Sequence, residues 1–353
     1  MDHQAYIHEL FDTVLHENGS DIHISAGRYP SVRVSGQLIF LMKARIPTKE
    51  DMVGILKVML DEKKVERFME DQEVDFAYTY QEKNRFRCNA YFQKGQIAIA
   101  IRLVPTVKSL QELRLPPILE TFARKKQGFF LVVGPVGQGK STTLAAMINM
   151  INNERAERIV TVEDPIEHIY EANRSIIDQR EVGIDTKDFN TALKSIFRED
   201  INVILIGEMR SAETISTAVT AAETGHLVFS TLHTNNASQT IDRIVDSFAS
   251  SGQQDQIRTQ LASSLLGIFS QRLVPRISGG LVPAYELLIN NNAVSNLIRE
   301  KRTHEIDVVI ETGFESGMVD MNRSLLELVR LGEITIENAF LYSFNPKSLE
   351  RMM

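Results

Sequence analysis

The run Gly134-Pro135-Val136-Gly137-Gln138-Gly139-Lys140-Ser141-Thr142 fits G-x-x-x-x-G-K-[ST] and dictates what must flank it. A loop of this kind works between a buried strand and a helix. Phe129-Phe130-Leu131-Val132-Val133 supplies the strand, and Thr143-Leu144-Ala145-Ala146-Met147-Ile148 opens the helix. The glycines let successive backbone N–H groups turn inward onto a phosphate, and the helix N-terminus adds its own preference for an anion. In this pattern Lys140 reaches the β- and γ-phosphate oxygens, and the Ser141 hydroxyl sits on Mg²⁺. A chance glycine-rich turn would not bring the matching flanks.

The loop sits inside 353 residues, a length suited to two domains. The formal net charge of −7 gives no long-range attraction to nucleic acid, which needs a basic face. Cys88 is the single cysteine, so neither an intrachain disulfide nor a four-cysteine zinc module can form, and a reducing cytosol suits the chain. The start, Met1-Asp2-His3-Gln4, lacks the basic and apolar regions of a signal peptide. No apolar run approaches the ~18 residues of a membrane span, so work at a membrane would go through docking to another protein.

Along the chain, residues 5–16 read as a helix, and 21–24 and 31–34 as strands. Residues 49–60 and 61–70 read as helices, and 75–80, 85–92 and 96–101 as a strand meander. This α+β module is expected to span 1–104. Pro105 and Pro116-Pro117 bracket an expected linker, 105–117. From 118 to 353, strands at 128–133, 158–162, 202–206 and 226–231 alternate with helices, the pattern of a parallel sheet. Beyond 250 the expectation is mostly helical: 253–268, 291–300, 320–331 and 335–341.

Three further segments carry chemistry. The apolar strand Asn202–Ile206 ends in Gly207-Glu208-Met209-Arg210, where Glu208 can hold Mg²⁺ through water or orient the attacking water. Thr161-Val162-Glu163-Asp164-Pro165-Ile166-Glu167 is a second acidic strand end. Strand C-terminal ends converge on the ligand-binding edge of a parallel sheet, so Glu163 can face the same phosphates. The plainer reading of that segment is a turn at Asp164-Pro165, and Glu167 is expected as a solvated carboxylate or a local partner. In Gly225-His226-Leu227-Val228-Phe229-Ser230-Thr231-Leu232-His233-Thr234, two histidines bracket an apolar strand. Their spacing of seven (233 − 226) puts them on opposite faces, which disfavours a shared metal. His233, at the C-terminal end, is placed to meet a γ-phosphate or else is a structural histidine.

Together these segments resemble the type IV pilus retraction ATPases, the PilT family of the secretion-ATPase superfamily, over nearly the whole chain. Ser20–Gly27 is similar to the family's S-D-L-H-L-S-A-G, Thr161–Glu167 to its aspartate box, Gly207–Arg210 to its G-E-M-R, Thr224–Thr234 to its histidine box, and Ile241–Asp246 to the segment after it. The resemblance implies an α/β fold: a RecA-like P-loop ATPase domain, an N-terminal PAS-like α+β domain and a helical C-terminal region. It implies a cytoplasmic homohexamer docked at the inner membrane on a pilus platform protein, and a possible paralogous partner ATPase. Mg²⁺-dependent ATP hydrolysis between the two domains would power pilus retraction and twitching motility. Gly137, Gln138, Gly139, Lys140, Ser141 and Thr142 would bind ATP, with Ser141 and, through water, Glu208 on Mg²⁺. Glu208, Glu163 and His233 would be catalytic, which glutamate activates water being open. Arg87 and Arg102 match the family's N-domain arginines that reach nucleotide; from local chemistry alone they are exposed strand arginines. The two domains would move as rigid bodies about the linker near Pro105.

The chain departs from the family at Val136-Gly137-Gln138-Gly139, where T-G-S-G is usual, at Asp200-Ile201-Asn202 for D-P-D, and at Ser211 for Asp. Backbone N–H groups do most phosphate binding, so the first change leaves that chemistry intact. Ser295 stands where the retraction segment A-I-R-N-L-I-R-E has its first Arg, which bears on mechanical output rather than hydrolysis. Rival readings are an accessory retraction paralogue and a pilus extension or type II secretion ATPase. The latter usually carries an extra N-terminal domain and a tetracysteine zinc insertion, which one cysteine cannot build. A nucleic-acid translocase conflicts with the acidic balance, and a non-catalytic nucleotide-binding scaffold with the intact Lys140, Ser141, Glu163, Glu208 and His233 set.

Overall fold

The computed structural model describes residues 1–34, 36–81, 84–104 and 106–353. Pro105, the expected hinge, lies outside the described residues. The chain divides into two compact units, Met1–Thr106 and Val107–Met353.

In the first unit, six strands form an antiparallel sheet: β1 (Gly19–Ser25), β2 (Ser31–Val34), β3 (Gln37–Phe40), β4 (Glu73–Tyr80), β5 (Asn84–Gln93) and β6 (Gln96–Leu103). Their order is β3-β2-β1-β6-β5-β4. Helices His3–His16 and Lys49–Met59 pack Phe11, Val14, Met52 and Ile55 against Ile22, Phe86 and Ile99. Thr48 and Asp51 form a capping box that fixes where the second of these helices starts. The edge strand β3 was missed because Gln37–Phe40 is exposed throughout and shows no alternation of burial.

The second unit is built on β7 (Gly128–Val133), β8 (Arg158–Glu163), β9 (Ile176–Glu181), β10 (Val203–Ile206), β11 (Leu227–Leu232), β12 (Leu265–Pro275) and β13 (Leu281–Ile289). The order is β13-β12-β7-β11-β10-β8-β9. All neighbours are parallel except the β12–β13 hairpin. Every residue of β7 is buried, as a strand covered on both faces requires. Phe129, Leu131 and Val133 join one core, with Ile204, Val228 and Ile241; Phe130 and Val132 join the other, with Leu144, Ile148 and Phe229.

Two expectations are corrected here. The helix expected over 253–268 ends at Ser264, and Leu265–Pro275 and Leu281–Ile289 are strands. A short apolar run such as Leu265–Phe269 has no period that separates a buried strand from a buried helix. The helical region therefore begins at Asn292, with helices Asn292–Arg299, Ile306–Thr312, Met321–Arg330, Ile336–Tyr342 and Pro346–Met352. Residues 107–117, expected as linker, belong to the second unit, where Leu110 and Leu115 bury against Leu119 and Phe130. No helix among the described residues is long and apolar enough to cross a membrane.

Candidate active site

The loop leaves β7 at Gly134, whose φ of 145° and close approach to β12 exclude a side chain: a Cβ would lie 2.5 Å from the Gln271 carbonyl oxygen. It enters helix Lys140–Glu154 through Gly139, a left-handed N-cap with φ 76° and no capping side chain. The first-turn N–H groups are thus left to an external anion. A pocket of about 540 Å³ opens over this turn, lined by Gly137–Thr142 together with Glu163, Glu167, Glu208 and His233.

Lys140 is buried, and its Nζ donates to the Pro135 carbonyl at 3.0 Å and to His233 Nδ1 at 3.2 Å. Burial pushes its pKa below the ordinary lysine value, while Glu167 and Glu208 oppose that shift. Lysine can only donate, so His233 Nδ1 accepts and the ring proton sits on Nε2. That nitrogen faces Glu208 Oε2 at 3.4 Å. Glu208 also pairs with Arg210, which reaches Asp164 at 3.7 Å. One chain of polar contacts thus joins the phosphate loop to the C-terminal ends of β11, β10 and β8.

Glu163 ends β8 and is 7% exposed. Thr161 Oγ1 donates to its Oε1 at 2.6 Å, and Gln179 Nε2 approaches the same oxygen at 3.4 Å. Burial outweighs these two bonds and raises its pKa above the ordinary carboxylate value. Gln179 also donates to the His168 carbonyl at 2.8 Å, so it ties the acidic loop to the edge strand β9. Sequence reasoning missed both Gln179 and β9, because Ile176–Glu181 reads as a mixed polar stretch.

The second unit therefore brings Lys140, Glu163, Glu208 and His233 to one sheet edge, with Gly137–Gly139, Ser141 and Thr142 lining the same pocket. Glu167 is exposed and lines it too. His226 sits before the other end of β11, its Nδ1 3.0 Å from the Ala221 carbonyl, and plays a structural part. Arg87 and Arg102 lie on the first unit, side by side on β5 and β6. Both are exposed, and Arg102 Nε donates to Asp21 Oδ1 at 2.8 Å. Burial alone would raise the Asp21 pKa, but the bonds from Ser20 and Arg102 hold it below the ordinary value. Asp21 thus aims Arg102, a role not seen in the sequence.

The stretch after His233 is held by residues that sequence reasoning also missed. Arg272 Nη2 donates to Asn235 Oδ1 at 3.0 Å, and Glu286 Oε1 accepts the Ala237 N–H at 2.8 Å. Burial raises the Glu286 pKa to about 8, with Ala237 and Arg272 opposing and Asp307 and Asp320 adding. A carboxyl raised in the folded state stabilises fully below its unfolded value, about 4.5, and loses that contribution as pH rises through about 8. Thermal melts of wild type and Glu286→Gln are expected to differ little near about pH 4. Above about pH 8 the variant should be the more stable, because glutamine still accepts the Ala237 N–H.

The donors present fit a magnesium nucleotide. The helix N-terminus and Lys140 suit phosphates, and the oxygen donors Ser141 and Glu208 suit a hard cation that keeps several waters. The pocket volume lies within the range of small-molecule sites.

Comparison with known proteins agrees with this geometry. The family model described as type II/IV secretion system protein matches residues 3–330. The chain is 44% identical over 322 residues to the twitching motility protein of Neisseria gonorrhoeae, covering 91% of this chain and 86% of that one. It is 41% identical over 334 residues to the type IV pilus retractation ATPase PilT of Pseudomonas aeruginosa, covering 94% and 96%. Among solved structures, that of the pilus retraction motor PilT with bound ADP superposes with a TM-score of 0.91 at 44% identity, over 98% of both chains. The chain is thus an ATPase, and it belongs to the type II/IV secretion system protein family, in its PilT-type group.

Proposed function

We propose that this chain is a Mg²⁺-dependent ATPase that powers type IV pilus retraction, working in the cytoplasm as a homohexamer docked on an inner-membrane platform protein. The observation that carries this reading is the near full-length likeness to the retraction motor crystallised with ADP. The convergence of Lys140, Glu163, Glu208 and His233 on one pocket supports it.

Within the site, the loop N–H groups, Lys140, Ser141 and Thr142 hold the nucleotide phosphates. Ser141 and, through water, Glu208 would hold Mg²⁺, which would supply positive charge against the phosphates. Glu163 is the group suited to take a proton from water: it is buried, carries no paired cation among its hydrogen bonds, and has a raised pKa. Glu208 already faces His233 and Arg210, so it suits positioning of the metal waters. His233 relays the state of the phosphate end to Glu208 through its two ring nitrogens. Arg102, held by Asp21, and its strand neighbour Arg87 are the guanidinium groups that would add charge at a nucleotide.

An accessory role beside a second retraction ATPase is favoured by one observation. Ser295, at the position usually occupied by Arg, is turned into the fold, where its Oγ bonds the Ala262 carbonyl at 2.8 Å and Asn290 Oδ1 at 3.1 Å. Deleting the gene separates the two readings. The primary role predicts accumulation of sheared surface pili and loss of twitching; an accessory role predicts only a partial loss. Normal pilus numbers and twitching in the deletion strain would reject both.

A further inference from the structure

We propose that Gln138 and Gln271 form a latch that holds the phosphate loop in its anion-binding shape before nucleotide arrives, which makes both positioning residues for the ATPase. The inference rests on the reading of 134–142 as the nucleotide loop. Strand β7 pairs with β12 only as far as Val133 opposite Ser270, while β12 continues to Pro275. Past that point, the β12 edge facing the loop has no strand beside it among the described residues.

Gln138 takes the missing partner's place. Its Oε1 accepts the Leu273 backbone N–H at 2.6 Å. In return, Gln271 Nε2 donates to the Gln138 carbonyl at 2.7 Å. The other end of the same amide, Gln271 Oε1, accepts the Thr143 hydroxyl at 2.7 Å. Gln271 is 2% exposed and Thr143 1%, so these groups have no water to turn to if a partner is removed. The latch thus fastens the loop twice at Gln138 and once in the first turn of the following helix.

Planarity of the peptide gives the latch its consequence. The Gln138 carbonyl points at Gln271, so the Gly139 N–H of the same trans peptide points the opposite way, away from β12. A glycine loop left free would sample many backbone conformations and lose that freedom on binding. A latched loop has lost it already, which favours affinity.

The test uses the full-length protein, with N-methylanthraniloyl-ADP as the binding probe and steady-state ATP hydrolysis beside it. Gln138→Met and Gln271→Met keep side-chain volume and remove the amide. Each is expected to raise the probe Kd and the KM for ATP about 5- to 10-fold while kcat stays within about two-fold. The double variant should lose little more than either single one, since both break one latch. Thr143→Ser should keep wild-type affinity, whereas Thr143→Val should lose it. Lowered melting temperatures with unchanged Kd and KM would reduce the pair to a structural role and overturn the proposal. Lys140→Ala separates the two layers. If it binds the probe as tightly as wild type, the loop reading itself fails and the latch with it. If it loses binding while both glutamine variants bind like wild type, the latch alone fails.

Discussion

Lys140→Ala is expected to lower kcat/KM for ATP hydrolysis by about 10²- to 10³-fold, the loss typical when one preorganised charge or donor is removed from a shielded site. Structure separates this loss from a folding defect. Lys140 is 7% exposed, and among the described residues its ammonium finds the Pro135 carbonyl and the His233 ring nitrogen as hydrogen-bond acceptors. Burial pushes its pKa down, so the folded protein holds this charge at a cost. A lysine kept for stability would have the opposite character. Lys140→Met, which preserves the aliphatic volume, is therefore expected to melt at or above the wild-type temperature while failing to hydrolyse ATP. A variant that loses activity only in proportion to a lost melting temperature would refute the assignment.

Glu163→Gln is the second large effect, expected at about 10²- to 10³-fold in kcat with KM little changed. The amide keeps the shape and still accepts from Thr161, but cannot take a proton. Its pH dependence is diagnostic. A raised carboxyl pKa places the acid limb of the wild-type rate profile above the ordinary value of 4.5, and the variant should lack that limb. Stability moves the other way. The folded state favours the protonated carboxyl, so the wild type loses stability as pH rises from 4.5 through the raised pKa, and Glu163→Gln should be the more stable nucleotide-free protein at neutral pH. Loss of activity in Glu208→Gln but not in Glu163→Gln would reverse the two roles.

The elements nearest the chemistry were legible for a physical reason. β7, β8, β10 and β11 are buried along almost their whole length, so their sequences are mostly apolar, each followed by the loop or polar residue it presents. What escaped was the frame around them. β9 and β3 are edge strands with exposed or mixed patterns, and β12 follows its helix without a punctuating residue, so Leu265 continues an apolar face that a helix could equally use. With β12 unseen, Gln271, Arg272 and the role of Gln138 were unseen as well, because their partners lie 133 to 135 residues away or across a strand. Asp21 belonged to a recognised motif, yet only the register of β1 against β6 sets it opposite Arg102. Pairing of this kind depends on topology and leaves no local mark.

Ser295 lies outside the residues that line the nucleotide pocket. Its hydroxyl is spent on Ala262 and Asn290, and neither of these residues lines the pocket. The ATPase chemistry can therefore be complete while its coupling to a pilus is judged only in the cell.

The most direct measurement is live imaging of labelled pili in cells whose only retraction ATPase is this chain, either wild type or Lys140→Ala. Wild type should show repeated extension and retraction. The Lys140→Ala strain should extend pili that stay out, with retraction events lost although the protein is present at wild-type level. Retraction at wild-type frequency in the Lys140→Ala strain would contradict the claim that ATP hydrolysed at this loop pulls the pilus.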